Sequence, residues 1–349
     1  MPISSLHEFF IQWHLTERCN LRCTHCYQTE GKTEELTLTE IKEVLSEITD
    51  MLTIWSDKYQ LEFSPSLNIT GGEPLLRNDL FKILGKMHAT DFAIYLLTNG
   101  TLVDAEKAKH LADLDVKGVQ VSIEGPEDVH DSIRGNGSFA ASCRGVTHLL
   151  KSGLKVTLNA TLSEINAEKF RDIFEIATSL GVQRLGFSRL VPAGRGVGLV
   201  DQMIDKQRVM EIYESIFALP TNGLEIVTGD PIASQMKNGP DLDDCGSIPT
   251  GGCAAGISGL TFLSDGTVTP CRRLAIPIGN VREDSLRDIW ANSKILEQLR
   301  DRSRYKGRCG SCPNWANCRG CRAIAYAHSL NQGKGDLLAE DPQCFINCT

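Results

Sequence analysis

The chain predicts an α/β protein: a parallel sheet with helices outside, followed by a smaller cysteine-rich α+β domain. Three observations carry this. A strand-helix unit recurs about six times through the first two-thirds of the sequence. The rhythm then breaks, and glycine, proline and cysteine become dense after Gly223. Last, the final segment is too poor in apolar residues to close its own core, and such segments need metal or disulfide staples. The expected boundaries are 1–225 for the first domain and 226–349 for the second.

The strands are expected at Phe10–Leu15, Leu67–Thr70, Ile94–Thr98, Gly118–Ile123, Lys155–Thr161 and Arg184–Ser188. Each is a short apolar or β-branched run. The helices lie between them. The first starts at Thr37-Leu38-Thr39-Glu40, a capping box in which Thr and Glu satisfy each other's backbone donors. It continues with Ile41, Leu45, Ile48 and Leu52 on one face. Others are expected near Asn78–His88, Asp104–Leu114, Phe139–Ser152, Ala167–Leu180 and Lys206–Leu219. Downstream, Gly259 to Thr269 reads as a hairpin turning at Asp265-Gly266. A helix follows with Leu286, Ile289, Trp290, Leu296 and Leu299 on its apolar face.

Composition narrows the function. With 41% hydrophobic and 23% charged residues the chain is an ordinary soluble protein. The net charge of -8 argues against a nucleic-acid partner, since phosphate attracts basic faces. No apolar run is long enough to span a membrane. The N-terminal stretch lacks a basic n-region and a long apolar core, so it is not read as a signal peptide. A cytoplasmic protein is expected, where thiols stay reduced and clustered cysteines bind metal rather than pair.

There are 13 cysteines. Cys19, Cys23 and Cys26 stand in one run directly after the first strand, where an α/β fold places its chemistry. Three thiolates in one loop suit three irons of a four-iron cluster and leave the fourth open to a small molecule. A zinc site with a distant fourth ligand, or unrelated thiols, are the alternatives. Cys245, Cys253, Cys271, Cys309, Cys312, Cys318, Cys321 and Cys344 form a second set. A structural zinc at Cys309–Cys321 is the alternative there. Cys143 reads as a small residue packed on a helix. Gly71-Gly72-Glu73-Pro74 ends the second strand; the glycines permit close backbone approach, and Glu73 is suited to accept from an ammonium group.

The CxxxCxxC of Cys19 to Cys26 followed by this GGEP resembles the radical S-adenosylmethionine (SAM) enzymes. The resemblance implies a partial (β/α)6 TIM-type barrel with its SAM cluster on Cys19, Cys23 and Cys26. It implies cofactor contacts from Gly71, Gly72 and Glu73, from Asn99 in Thr98-Asn99-Gly100, and from Ser122 and Glu124 in Ser122-Ile123-Glu124-Gly125. It further implies Arg134 toward the SAM carboxylate, Asn159 with Thr161 toward the ribose, and His25 beside the adenine. SAM would be cleaved reductively to a 5′-deoxyadenosyl radical that abstracts hydrogen from the substrate.

The C-terminal set, with Gly266 before Cys271 and the Cys309–Cys321 run, is similar to the SPASM extension of peptide-modifying members. Two residues rather than three separate Cys318 from Cys321, like the subgroup holding haem-biosynthesis and mycofactocin-type enzymes. The resemblance implies two auxiliary [4Fe-4S] clusters, one on Cys245, Cys253, Cys271 and Cys321, the other on Cys309, Cys312, Cys318 and Cys344; the alternatives are Cys348 in place of Cys344, and a first cluster without Cys245 that opens an iron to substrate. Phe187 to Gly196 leaves the sixth strand where substrate meets adenine in this family. Its Arg189 and Arg195 are candidates for a carboxylate or phosphate.

A peptide or protein substrate is expected, with a tetrapyrrole or other small molecule as the alternative and Arg189, Arg195, Arg272 and Arg273 as its propionate partners. The short segment before the first strand implies a separate leader-binding protein or direct recognition. A reductant such as ferredoxin or flavodoxin is implied as well. Sulfatase maturation is disfavoured, because Arg272 stands where those enzymes place an aspartate.

Overall fold

The computed structural model describes residues 6–29, 34–221, 223–238 and 248–346. Ten strands form one sheet: β1 Leu6–His14, β2 Glu62–Thr70, β3 Ala93–Thr98, β4 Gly118–Ser122, β5 Val156–Leu162, β6 Arg184–Arg189, β7 Glu225–Val227, β8 Gly259–Phe262, β9 Thr267–Thr269 and β10 Gly279–Asn280. Their spatial order is β10-β9-β8-β1-β2-β3-β4-β5-β6-β7. Strands β1 to β7 run parallel to their neighbours, which is the partial barrel expected.

Helices α1 Leu38–Tyr59, α2 Leu80–His88, α3 Ala105–Asp113, α4 Glu127–Arg134, α5 Ser138–Lys151, α6 Phe170–Leu180 and α7 Lys206–Phe217 alternate with the barrel strands. The Thr37–Glu40 capping box forms: Thr37 Oγ1 accepts from Glu40 N at 3.2 Å, and Glu40 Oε2 accepts from Thr37 N at 2.7 Å. Beyond the barrel lie α8 Pro231–Asn238, α9 Leu286–Asn292, α10 Lys294–Arg300, α11 Arg308–Ser311 and α12 Arg322–Asn331. Cys143 sits half-buried on α5.

Strand alternation sorts the two faces of the sheet. Ile11, Trp13, Leu67, Ile69, Leu96, Val121 and Leu158 point outward and are buried against the helices. Between them, Gln12, Asn68, Gln120, Asn159 and Ser188 fall on the opposite parity, so the inner face is polar. The apolar core is therefore the shell between strands and helices, and the barrel interior is left for chemistry.

Four features depart from expectation, the first being that the one helix expected through Leu286 and Leu299 is two, α9 and α10, broken at Ser293, whose side chain caps α10. The hairpin forms, with Thr261 opposite Thr269, but β8 also pairs in parallel with β1. The cysteine-rich segment thus extends the barrel sheet, and Trp13 meets Phe262 edge-on at 5.3 Å. A seventh parallel strand, β7, follows the six expected. Helix α4, where no helix is expected, carries Arg134 as its last residue. Among the described residues, no helix is long and apolar enough to cross a membrane.

Candidate active site

The loop carrying Cys19, Cys23 and Cys26 leaves the C-terminal end of β1 and is clipped by its neighbours' backbones. Gly72 N donates to Thr16 O and Glu73 N to Arg18 O, both at 2.8 Å. Thr24 N donates to Ile133 O at the end of α4, at 2.9 Å. On the far side Gly196 N reaches Cys26 O at 3.1 Å and Arg195 N reaches Gln28 O at 3.2 Å. The glycine requirement is steric: a Cβ on Gly72 would lie 2.2 Å from Arg18 O, and one on Gly71 2.2 Å from Thr16 O. Gly72→Ala should push the loop off the end of β2. The expected result is loss of SAM cleavage and of about four irons per chain, with the downstream clusters retained. Iron and sulfide assay of the anaerobically loaded variant checks this.

All three cysteines line one cavity of about 300 Å³. His25, Gly71, Gly72, Asn99, Ser122, Arg134 and Asn159 line it too. Glu73 and Glu124 do not; both are fully buried behind it. Glu73 Oε2 accepts from Asn99 N at 2.8 Å, and Oε1 accepts from Thr98 Oγ1 at 2.8 Å and Leu75 N at 3.1 Å. It ties the end of β2 to the end of β3, and burial pushes its pKa up.

Glu124 Oε1 accepts from Arg134 Nε at 2.9 Å and lies 3.1 Å from His25 Nε2, while Oε2 accepts from Thr161 N at 2.7 Å. Burial works to raise its pKa, but Arg134 and His25 override that and hold it well below the carboxylate range. Glu124 thereby fixes His25 and Arg134 at the cavity wall. Arg134 Nη1 also lies 3.8 Å from Cys23 Sγ. Burial raises the thiol pKa of Cys19 and Cys23, so binding metal there releases protons.

The arginine expectations divide. Arg189 is 1% exposed and already committed: it pairs with Asp230 at 2.5 Å and Asp341 at 2.9 Å, and donates to Gln343 at 2.9 Å. Its charge is compensated, which corrects its reading as a substrate arginine. Arg195, Arg272, Arg273 and Arg22 also line the cavity. Arg272 lies over the Tyr27 ring at 5.7 Å, and Arg273 Nη1 donates to Arg189 O at 3.3 Å.

Sequence reasoning missed His14, Glu17, Tyr27 and Gln28. His14 Nε2 lies 3.4 Å from Tyr27 Oη, and its Nδ1 lies 3.5 Å from Glu17 and 3.2 Å from Gln28 Nε2. Strand alternation was the available signal, since it turns His14 inward at the end of β1.

The downstream cysteines fall into two places. Cys309, Cys312, Cys318 and Cys344 line a second, small apolar cavity. Cys271 and Cys321 pack together with Val191 and Leu274. Burial pushes the Cys321 thiol up to about 12, against the pull of Arg273 and with Cys253 adding to the rise. Cys245 and Cys348 lie outside the described residues. Among those described, no three His, Cys, Asp or Glu side chains converge on a single ion.

The radical SAM superfamily pattern matches residues 13–177, and the SPASM iron-sulfur cluster-binding domain matches residues 253–322. The chain is 33% identical to the AdoMet-dependent heme synthase of Methanosarcina barkeri, over 96% of this chain and 95% of that one. The chain belongs to the radical SAM enzymes with a SPASM domain. It is also 30% identical to the mycofactocin maturase of Mycobacterium tuberculosis, over 96% of this chain and 82% of that one. Among solved structures, Streptococcus suis SuiB bound to precursor peptide SuiA superposes with a TM-score of 0.75 at 16% identity, over 97% of this chain and 76% of that chain. That likeness shows the shared fold.

Radical SAM/SPASM enzymes carry a SAM-binding [4Fe-4S] cluster, SAM and auxiliary clusters. The residues present fit these groups. The loop is an all-sulfur donor set beside a polar cavity, and His25 Nδ1 at the wall is buried without a partner. Downstream, buried Arg319 and Arg322 bond to no carboxylate among the described residues, and an anionic cluster would compensate them.

Proposed function

We propose that this radical SAM/SPASM enzyme abstracts hydrogen from a peptide or protein side chain that presents a carboxylate to Arg195, Arg272 and Arg273. Two observations support the reading: the chain is 30% identical to a mycofactocin maturase over 96% of its length, and Arg195, Arg272 and Arg273 line the same cavity as Cys19, Cys23 and Cys26. Guanidinium groups facing a partly enclosed space recognise carboxylates in paired geometry.

In this reading Cys19, Cys23 and Cys26 hold the SAM cluster. Arg134 receives the SAM carboxylate, His25 flanks the adenine, and Asn99, Ser122 and Asn159 contact the methionyl and ribose portions. Glu73 and Glu124 act one step behind, fixing Asn99 and the His25–Arg134 pair. Cluster and SAM together supply one-electron cleavage of a carbon–sulfur bond and a carbon-centred oxidant. The protein's own part is to orient these groups, exclude water and hold the substrate carbon in reach.

A second reading, a tetrapyrrole substrate, is favoured by one observation: the chain aligns along almost its whole length with proteins named heme synthases. Two anaerobic incubations separate them. Each contains iron-loaded protein, SAM and dithionite, one with short peptides encoded beside the gene and the other with a propionate-bearing porphyrin. Loss of hydrogen mass from a peptide with matching 5′-deoxyadenosine supports the first reading. Mass loss from the porphyrin alone overturns it. Arg272→Ala should lower turnover of the productive substrate at least about tenfold while leaving 5′-deoxyadenosine formation without substrate intact, as expected for a lost charge-assisted contact of about 1.5–3 kcal/mol.

A further inference from the structure

Cys318 and Cys321 stand three positions apart yet serve different places. Cys318 faces the cavity of Cys309, Cys312 and Cys344, and Cys321 packs with Cys271. The turn between them makes the split. Arg319 and Gly320 both adopt left-handed backbone, with φ of 64° and 62°. A Cβ on Gly320 would lie 2.7 Å from Asp341 Cβ and 2.8 Å from Arg322 Nη2, so only glycine fits.

The two cations flanking this turn are buried, Arg319 at 2% and Arg322 at 1% exposure. Arg319 spends its donors on backbone carbonyls: Ala316 O at 2.6 Å, Cys253 O at 2.7 Å, and Gly251 O. Arg322 donates to Ala339 O at 2.7 Å and Leu337 O at 3.2 Å, and its Nη2 donates to Cys309 Sγ at 3.6 Å. It stacks over the Tyr305 ring at 5.0 Å, and its Nε is buried without a partner. Neither guanidinium bonds to a carboxylate among the described residues. A buried cation in that state is costly unless negative charge lies close.

We propose that Arg322 is a positioning residue that raises the reduction potential of the auxiliary cluster held by Cys309, Cys312, Cys318 and Cys344. It does so by placing a buried cation, bonded to no carboxylate among the described residues, against the Cys309 thiolate. Reduction adds negative charge to the cluster, and a fixed cation at one sulfur stabilises the reduced form. Hydrogen bonds to sulfur, net charge and burial are the protein's means of setting such potentials. Arg319, beside Cys318 and Cys253, adds to the same field. The effect is local: it makes the cluster nearest Cys309 a better electron acceptor than it would be without Arg322.

The inference rests on assigning those four cysteines to one cluster and not on the identity of the substrate. The test is an anaerobic redox titration of the full, iron-loaded chain, followed by electron paramagnetic resonance. The relevant signal is the one lost in Cys309→Ala. In Arg322→Gln the reduced-to-oxidised ratio of that signal at a fixed potential should fall at least tenfold, about 59 mV for one electron. Arg322→Lys keeps the charge and should stay within about threefold of the parent.

An Arg322→Gln chain with full iron and an unmoved potential overturns the role of Arg322. So does a Lys variant displaced as far as the Gln variant. Should the Gln variant fail to load iron, the Lys variant decides alone: loaded and near the parent supports the proposal, loaded and lowered tenfold overturns it. An iron count that does not drop by about four in Cys309→Ala overturns the cluster assignment itself.

Discussion

Replacing Arg189 by methionine should cost about 3–5 kcal/mol of stability, read as a lowered Tm of the iron-loaded chain under anaerobic calorimetry. The side chain is buried at the end of β6 and spans to Asp230 before α8 and to Asp341 in the C-terminal segment. Asp341 also accepts from Cys321 N at 2.8 Å, so the same ion network clasps the barrel to the cysteine-rich segment. Methionine fills the volume but strands two carboxylates in the interior, which is why the loss exceeds that of a surface pair.

The pH dependence follows from Asp341. Burial works to raise its pKa, but Arg189 outweighs burial and holds it below its ordinary value. A carboxylate with a lowered folded pKa contributes stability that is present above its unfolded pKa and is lost as pH falls through the folded one. In the parent chain that loss therefore lies below about pH 3.9. In Arg189→Met the largest force opposing burial is gone while the Cys321 N–H bond and the Arg322 charge remain against it, so the folded pKa rises and protonation relieves part of the strain. The stability gap between variant and parent should narrow as pH is lowered toward the ordinary carboxylate range, about 3.9. A gap that stays constant would show that Asp341 is not stranded by the change.

Alanine at Cys19, Cys23 and Cys26 together should abolish 5′-deoxyadenosine formation while the chain still binds its auxiliary clusters. About twelve irons per chain should fall to about eight. The loop's position depends on backbone bonds from Gly72, Glu73, Gly196 and Ile133, not on the thiols, so folding should survive. Product persisting in the triple variant would refute the assignment of the SAM cluster. A fall to no iron at all would refute the independence of the downstream sites. Chromatographic product assay and iron analysis on one preparation give both answers.

Much of this was legible before any coordinates. The order of CxxxCxxC, GGEP, Thr98-Asn99-Gly100 and Ser122 to Gly125 marked successive strand ends, and the structure brings them around one cavity. Strand positions could be read because each strand is a short apolar run between polar turns. The hairpin at Asp265-Gly266 was equally plain, since its turn chemistry is local.

What failed to show was the partnership of charges. Arg189 and Arg195 look alike as cations beside Pro192 and Gly194. One is consumed by Asp230 and Asp341, which lie 41 and 152 positions away in the chain. The roles of Glu73 and Glu124 behind the cavity wall, rather than in it, depend on which side of a strand end each carboxylate leaves. The pairing of β8 with β1 likewise joins segments with no shared local signal.

The amino-acid sequence by itself determined the reaction class and the alternation of strands and helices. Both rest on residue type at short spacing, in motifs and in periodicities of a few positions. Only the tertiary structure decided that Arg189 is spent on Asp230 and Asp341, that Glu73 and Glu124 lie behind the cavity, and how Cys318 and Cys321 part company. Those outcomes depend on burial and on long-range neighbours. A charge in the interior takes its meaning from the partner it meets, and the chain does not write that partner beside it.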